Sequence, residues 1–361
     1  MSDADAREPG SRVADYDYVL PPDRIARYPA ARRDHSRLLV VPGGPRSDAP
    51  FRHLIFHQVA ELFRAGDVLV VNESRVIPAR LLGRKPTGSP AEVLLLHPTP
   101  DANADDPRTW EALVRPGGKL KPGRRVLVAP DLEIAIIATT AQGSRIVRIE
   151  SPLPAREAIE RHGHVPLPPY LGRDDEPLDR ERYQTVYART PGSVAAPTAG
   201  LHFTPELLAA IEARGVRRVS VTLDVGVGTF RPVEADDPAA HEMHGERWRV
   251  EPAAAAAINA ARAVGGRCWA VGTTVVRALE TATGPGGLIH AGEGVTRLFI
   301  QPGHRFTSVD ALFTNFHLPR STLLMLVAAF GGYERVRDAY RVAIEEGYRF
   351  YSYGDAMAVV P

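Results

Sequence analysis

Between Asp67 and Ile149 the apolar residues come in short β-type runs, at 68–71, 79–82, 92–96, 110–114, 125–128, 133–138 and 145–149, with Gly, Pro and Asp clusters between them. Short strands at roughly ten-residue spacing with turn signals between them predict a small antiparallel barrel or sandwich. Downstream the rhythm lengthens. Helical patterns at 206–214, 252–263, 275–281, 321–330 and 336–346 alternate with strand-like runs at 218–225, 267–271 and 296–300. That alternation predicts layered α/β structure. The simplest architecture is a large α/β domain built from 1–73 and 152–361, with a small antiparallel β-barrel domain inserted at 74–151.

Composition narrows the function classes. At 361 residues, 44% hydrophobic and 24% charged, the chain is globular, with room for two domains and little long disorder. Only 1–12, polar and small, is expected to fray. A single cysteine, Cys268, allows neither a disulfide framework nor a cysteine-based metal site, which suits the reducing cytoplasm. No apolar stretch near the start has basic flanks, and the longest strongly apolar run, 323–330, is too short to span a bilayer, so neither secretion nor membrane insertion is expected. Lys and Arg total 44 against 43 Asp and Glu, so any nucleic acid must meet a local patch. The densest basic run holds Arg115, Lys119, Lys121, Arg124 and Arg125 among Gly and Pro, with no acid between them. It reads equally as a nucleic-acid contact and as a solvated loop.

Several segments carry chemistry. Residues 221–230, V-T-L-D-V-G-V-G-T-F, look like the strand and first glycine loop of Rossmann-type methyltransferases, where the backbone approaches a nucleoside. The pattern is incomplete, because Pro232 follows where a helix should open and Phe230 stands at the third glycine position. In 268–280, C-W-A-V-G-T-T-V-V-R-A-L-E, a buried strand breaks at Gly272, and Thr273 or Thr274 is placed to cap a helix carrying Arg277 and Glu280. The free N–H groups of such a helix start suit a carboxylate, and plain capping accounts for the residues as well. His241 and His244, three apart, would share a helix face and could hold a metal, but no H-E-x-x-H pattern appears and Gly245 weakens a helix there. Orienting a substrate or carrying protons near neutral pH is the other reading of these histidines. Residues 163–170, G-H-V-P-L-P-P-Y, are held extended by their prolines. Beyond them Tyr183 and Tyr187, one helical turn apart, fit either core packing or stacking on an unpaired base.

In order along the chain come Y-D-Y-V-L-P from Tyr16, R-L-L-V from Arg37, N-E-S-R-V-I-P-A-R-L from Asn72, the G-H-V-P-L-P-P-Y string, Y-Q-T-V-Y-A from Tyr183 and A-A-P-T-A-G-L-H-F from Ala195. V-G-V-G-T-F from Val225, H-E-M-H-G-E from His241, A-V-G-T-T-V-V-R-A-L-E from Ala270, T-N-F-H-L-P-R-S-T-L-L-M-L-V-A-A-F from Thr314 and Y-R-F-Y-S-Y-G-D-A-M from Tyr348 complete the series. Together they resemble the S-adenosylmethionine:tRNA ribosyltransferase-isomerases of queuosine biosynthesis over nearly the whole chain from Tyr16 onward. The resemblance implies an α/β domain with an inserted β-barrel, S-adenosylmethionine consumed as a substrate, and no metal or separate cofactor. It implies an acceptor in a tRNA anticodon stem-loop, the aminomethyl group of 7-aminomethyl-7-deazaguanine at the wobble position, with epoxyqueuosine, adenine and methionine as products. A cytoplasmic monomer is expected.

That chemistry needs a base for a C5′ hydrogen acidified by the sulfonium, a proton for departing adenine, a neutral amine and a water-poor site. The candidate acid–base groups are His202, His241, His244, Glu246 and His317. Asn72, Arg75, Arg80, Thr198, Gly200, Gly272, Thr273, Thr274, Arg277 and Asn315 are candidate substrate binders, and Arg115, Lys119 and Lys121 candidate tRNA contacts. A cleft between barrel and α/β domain would enclose the reaction. His241, His244 and His317 are expected to converge there beside Asn315 and Thr273, with Glu246 or Asp224 raising a histidine pKa. Asp224 stands where the family often has His, Arg320 where an acid or lysine is common, and Glu73 where a smaller polar residue occurs. A class I methyltransferase and a non-catalytic RNA-binding protein are the alternative classes.

Overall fold

The computed structural model describes residues 9–43, 49–100, 102–103, 105–226 and 233–361. The strands are β1 (Arg37–Pro42), β2 (Arg52–Ile55), β3 (Val68–Asn72), β4 (Ser74–Val76), β5 (Arg80–Arg84), β6 (Pro90–Pro98), β7 (Thr109–Arg115), β8 (Arg125–Ala129), β9 (Leu132–Thr139), β10 (Arg145–Glu150), β11 (Thr190–Ser193), β12 (Arg217–Leu223), β13 (Glu246–Val250), β14 (Cys268–Val271), β15 (Gly292–Thr296), β16 (Ala311–Asn315) and β17 (Ala356–Val360). The helices are α1 (Ala155–His162), α2 (Asp179–Arg182), α3 (Pro205–Ala213), α4 (Pro252–Ala263), α5 (Thr273–Ala282), α6 (Thr322–Gly331) and α7 (Tyr333–Glu345).

A nine-stranded sheet runs in the order β15-β13-β12-β3-β14-β16-β17-β1-β2. Its middle, β12-β3-β14-β16, is parallel. Alternate residues of one strand feed opposite cores. Val68 and Val70 of β3 join Ile258, Leu279, Met325 and Tyr340 from the layer of α4 to α7. Leu69 and Val71 join Phe56, Val59, Leu207 and Ile211 from a 3-10 turn and α3. Burial on both faces is why these strands read as unbroken apolar runs, as parallel strands do. The helices start where their sequences direct: Thr204 Oγ1 accepts from Leu207 N at 3.1 Å before α3, and Ser321 Oγ from Leu324 N at 3.2 Å before α6.

Six antiparallel strands close into a barrel, β10-β7-β6-β5-β8-β9, and Ala155, Ala158 and Ile159 of α1 join its interior. The α/β sheet and the antiparallel barrel expected from the sequence are both present. Some details differ. The run at 68–71 lies in the large sheet, because β3 pairs with β12 and β14. The run at 296–300 is strand only up to Thr296, where pairing with β13 ends at Glu246. Of the segment expected to fray, 1–8 lies outside the described residues, whereas Arg12 is tied to Asp15 through its backbone N–H at 3.0 Å. Among the described residues no helix is long and apolar enough to cross a membrane.

The sheet is pinned at its base by Asp67. This buried carboxylate accepts from Arg64 N (3.0 Å), Arg267 N (2.9 Å), Arg267 Nη2 (2.7 Å) and the Trp269 indole N–H (3.0 Å), joining the starts of β3 and β14. Removing it leaves a guanidinium and an indole donor without their acceptor. Asp67→Ala should lower the stability of the α/β domain by roughly 3–5 kcal/mol, measured by chemical denaturation. An unchanged unfolding midpoint would show that the contact is dispensable.

Candidate active site

The four parallel strands run in one direction, and the segments at the ends of three of them, β12, β14 and β16, build one pocket. Val225 comes after β12, Gly272 to Thr274 after β14, and Thr314 to Leu318 at and beyond the end of β16. Ligands of open α/β sheets bind at such carboxyl ends. Ala195 to Ala199, Tyr170, Leu323, Tyr351 and Ser352 complete the lining of a cleft that is partly open to solvent.

Gly272 adopts φ 92°, a left-handed conformation that favours glycine, and turns the chain from β14 into α5. Contrary to expectation, neither threonine caps the helix: Gly272 is the N-cap, and Thr273 and Thr274 are its first two residues. Their hydroxyls are therefore free to face the pocket. Thr274 Oγ1 is buried with no hydrogen-bond partner among the described residues. Val275 N and Val276 N donate to Gly272 O at 3.1 and 3.4 Å, so the N–H groups that this wall offers a ligand are those of Thr273 and Thr274.

Asn315 and His317 sit on the facing wall. The Asn315 amide donates to His202 Nε2 at 3.1 Å and to the Tyr351 carbonyl at 3.2 Å. His317 Nε2 lies 2.7 Å from Thr314 Oγ1, and the His317 backbone N–H donates to Tyr340 Oη at 2.8 Å while its carbonyl accepts from Tyr18 Oη. Burial depresses the pKa of both His202 and His317 to about 3, in His202 with help from Arg349 and Arg33. Both imidazoles are neutral at physiological pH, which corrects the expectation of a histidine raised by a nearby carboxylate.

Other sequence candidates fall elsewhere. Thr198 lines the pocket, but Gly200 does not; a Cβ there would come within 2.1 Å of Tyr187 Oη, so packing demands the glycine. His202 is fully buried behind Asn315, bonded to Ser36 Oγ at 2.7 Å. Glu246 and Arg277 form a buried ion pair; Arg277 Nε also donates to Leu298 O at 3.0 Å and Glu246 Oε1 accepts from Gly226 N at 3.3 Å. Neither lines the pocket. Burial raises the Glu246 pKa, opposed by Arg277. His241 packs edge-on to Phe299 and His244 is exposed, in an extended segment rather than on a helix, so the three histidines do not converge. Among the described residues no group of three His, Cys, Asp or Glu could hold a metal ion.

Asn72 is wholly internal: its amide donates to Leu223 O and accepts from Leu223 N and Ser74 N. Arg80 bridges Glu92 and Asp174 at 3.3 Å each, and Arg75 is exposed beside Glu160 and Arg180. Tyr183 and Tyr187 lie beyond the end of α2 and are buried core, Tyr183 packing edge-on to Tyr353, so neither offers a face to a base. On the barrel, Arg115, Lys119, Lys121 and Arg124 are exposed, whereas Arg125 is bound by Glu133 and Glu150. No barrel strand contributes to the pocket, so the enclosure lies within the α/β domain rather than between domains. The glycines after Gly226 in the 221–230 loop lie outside the described residues.

Tyr351, Ser352 and Tyr170 do not stand out in the sequence as a group. Tyr351 has φ 72°, an uncommon left-handed conformation for a bulky residue, of the kind that clusters at functional sites. Tyr170 Oη meets Ser352 Oγ at 2.6 Å, and the Tyr170 and Tyr351 rings lie 4.6 Å apart, forming an aromatic wall.

Asp224, one residue before Val225, is mostly buried, and its Oδ1 has no hydrogen-bond partner among the described residues. Burial pushes its pKa up to about 6, with Arg247 and His97 lowering it and Glu246 raising it. Ionisation of Asp224 therefore weakens the folded state. Relative to wild type, Asp224→Asn should gain stability as pH rises from about 4 through about 6, reaching up to roughly 3 kcal/mol above that range. A pH-independent difference in melting would refute this.

Fold and pocket define an α/β enzyme with a mainly apolar, uncharged cleft at the carboxyl ends of its parallel strands. The family described as queuosine biosynthesis protein matches residues 13–359. A protein of Moorella thermoacetica is 51% identical over 97% of this chain and 100% of its own, and one of Thermus thermophilus is 53% identical over 96% and 98%. Both are named S-adenosylmethionine:tRNA ribosyltransferase-isomerase. A crystal structure of S-adenosylmethionine tRNA ribosyltransferase from Thermotoga maritima is 36% identical, with TM-score 0.53 over 96% of this chain and 99% of that one. The chain belongs to the queuosine biosynthesis family of S-adenosylmethionine:tRNA ribosyltransferase-isomerases. That membership sets aside the methyltransferase and non-catalytic alternatives.

Proposed function

We propose that this enzyme transfers and isomerises the ribosyl moiety of S-adenosylmethionine onto the aminomethyl group of 7-aminomethyl-7-deazaguanine at a tRNA wobble position, releasing adenine and methionine and leaving epoxyqueuosine. The observation that carries the reading is the lining of the cleft: a helix N-terminus with Thr273 and Thr274 on one side and the aromatic wall of Tyr170 and Tyr351 on another, with no charged side chain among the described lining residues. The first turn of α5, with Thr273 and Thr274, holds the carboxylate of the donor. Tyr170 and Tyr351 shield the reacting carbons from water. Of the five acid–base candidates only His317 lines the pocket, as a neutral imidazole. No metal or separate cofactor takes part, and the enzyme acts as a monomer in the cytoplasm.

Incubating the protein with S-adenosylmethionine and an anticodon stem-loop carrying the aminomethyl base should release adenine, detected by chromatography. No adenine from protein shown to be folded by its cooperative melting would overturn the reading. Thr274→Val keeps the shape and removes the hydroxyl. It should weaken donor binding by roughly 5- to 100-fold while leaving the fold intact; unchanged calorimetric affinity would remove Thr274 from the site.

The exposed basic loop of the barrel is the docking surface for the tRNA backbone. It is a shaped element, because buried Arg145 donates to Gly117 O and Leu120 O at 2.8 Å each. Each phosphate contact contributes about one unit to the salt slope of binding. Lys119→Ala with Lys121→Ala should reduce that slope by about two units; an unaltered slope would make the loop a solvated one.

A further inference from the structure

A carboxamide has a donor end and an acceptor end, and its neighbours decide which faces outward. Asn315 is almost fully buried at the end of β16. One end of its amide meets the Tyr351 carbonyl at 3.2 Å, which can only accept, so that end is the NH₂. The second N–H of the same group meets His202 Nε2 at 3.1 Å, which must then accept and leave Nδ1 protonated. Nδ1 donates to Ser36 Oγ at 2.7 Å, and the Ser36 hydroxyl turns towards Arg33 O at 3.4 Å. The His202 ring is fixed against Phe56, centroids 5.0 Å apart. Every donor in the relay is spent on protein. Asn315 Oδ1 is left over: buried, in the pocket wall, and without a hydrogen-bond partner among the described residues.

A buried acceptor without a donor is costly, so the pocket is built to receive an N–H group at this point. Beside it stand Tyr170 and Tyr351, a wall suited to a flat ring. We infer that Asn315 Oδ1 accepts the exocyclic amino group of a purine-type base, and that His202 and Ser36 are positioning residues that lock the amide in this orientation. This rests on the proposed ribosyl transfer, which brings two such bases to the enzyme: the adenine of the donor and the amino-deazapurine of the acceptor. His202 thereby leaves the list of proton carriers.

The test compares base pairs that differ by one amino group, adenine against purine and 7-deazaguanine against 7-deazahypoxanthine, by calorimetric binding to the full chain. Wild type should prefer the amino member of one pair by roughly tenfold or more, and the pair that discriminates identifies the source. The preference should vanish in Asn315→Leu. It should fall in His202→Phe, which keeps the ring but loses the acceptor, and return in His202→Gln, whose carbonyl can accept the amide N–H; each variant is checked for native melting. No preference in either pair, or a preference surviving in Asn315→Leu, would overturn the inference. The outcome is separable from the reaction: adenine release without amino preference defeats this inference alone, whereas amino preference without adenine release defeats the proposed transfer and leaves the subsite standing.

Discussion

The side-chain amide of Asn72, fully buried where β3 ends, is the contact on which the arrangement of the molecule depends. It gives one N–H to Leu223 O and takes the N–H groups of Leu223 and Ser74, so the end of β12 is stapled to the end of β3 just as the chain leaves for the barrel. The returning chain is fastened to the same place: Ser193 Oγ accepts from Val225 N at 3.0 Å and donates to Ala195 O at 2.6 Å. The segment 73–192, which carries the barrel, therefore leaves and returns at one strand end. The wall from Ala195 to Ala199 hangs from that junction, and with it one side of the pocket.

The described lining of the pocket contains no Asp, Glu, Lys or Arg. Burial keeps His317 neutral and raises the Tyr170 and Tyr351 hydroxyls, so the wall carries no formal charge at neutral pH. Under the proposed reaction a cationic sulfonium placed there would not be repelled and would meet fixed dipoles rather than a counter-ion. In such surroundings each oriented hydroxyl, amide and helix N–H counts for more than it would in water.

The barrel was legible in the sequence because turn residues mark every strand end. The helices α3 to α7 were legible from their periodicity and caps. Strands β1, β16 and β17 were not, since burial on both faces erases the alternation and leaves apolar runs such as A-M-A-V-V that have no period of their own. At the site, Thr198, Gly272 to Thr274, Asn315 and His317 stood out as unusual strings, and all of them line the pocket. Asn72, Arg80, Glu246 and Arg277 stood out for the same reason, yet each is occupied by a partner inside the protein. Residue type does not distinguish a polar group aimed at a ligand from one aimed at the chain. Nor does it show desolvation, the main cause of the neutral state of His202 and His317, or the left-handed backbone of Tyr351.

The place of β17 has a consequence for biosynthesis. Residues 356–360 lie between β16 and β1, pairing with Leu312 to Asn315 on one side and with Leu38 to Pro42 on the other. Until those residues leave the ribosome, β1 and β2 have no route into the sheet, and the end of β16, with Asn315 and the turn to His317, lacks its neighbour. The barrel strands, by contrast, lie within 80–150 and have all their pairing partners early. On a translating ribosome the insertion is thus able to close long before its host, and a ligand in the growing cell meets either a finished pocket or none.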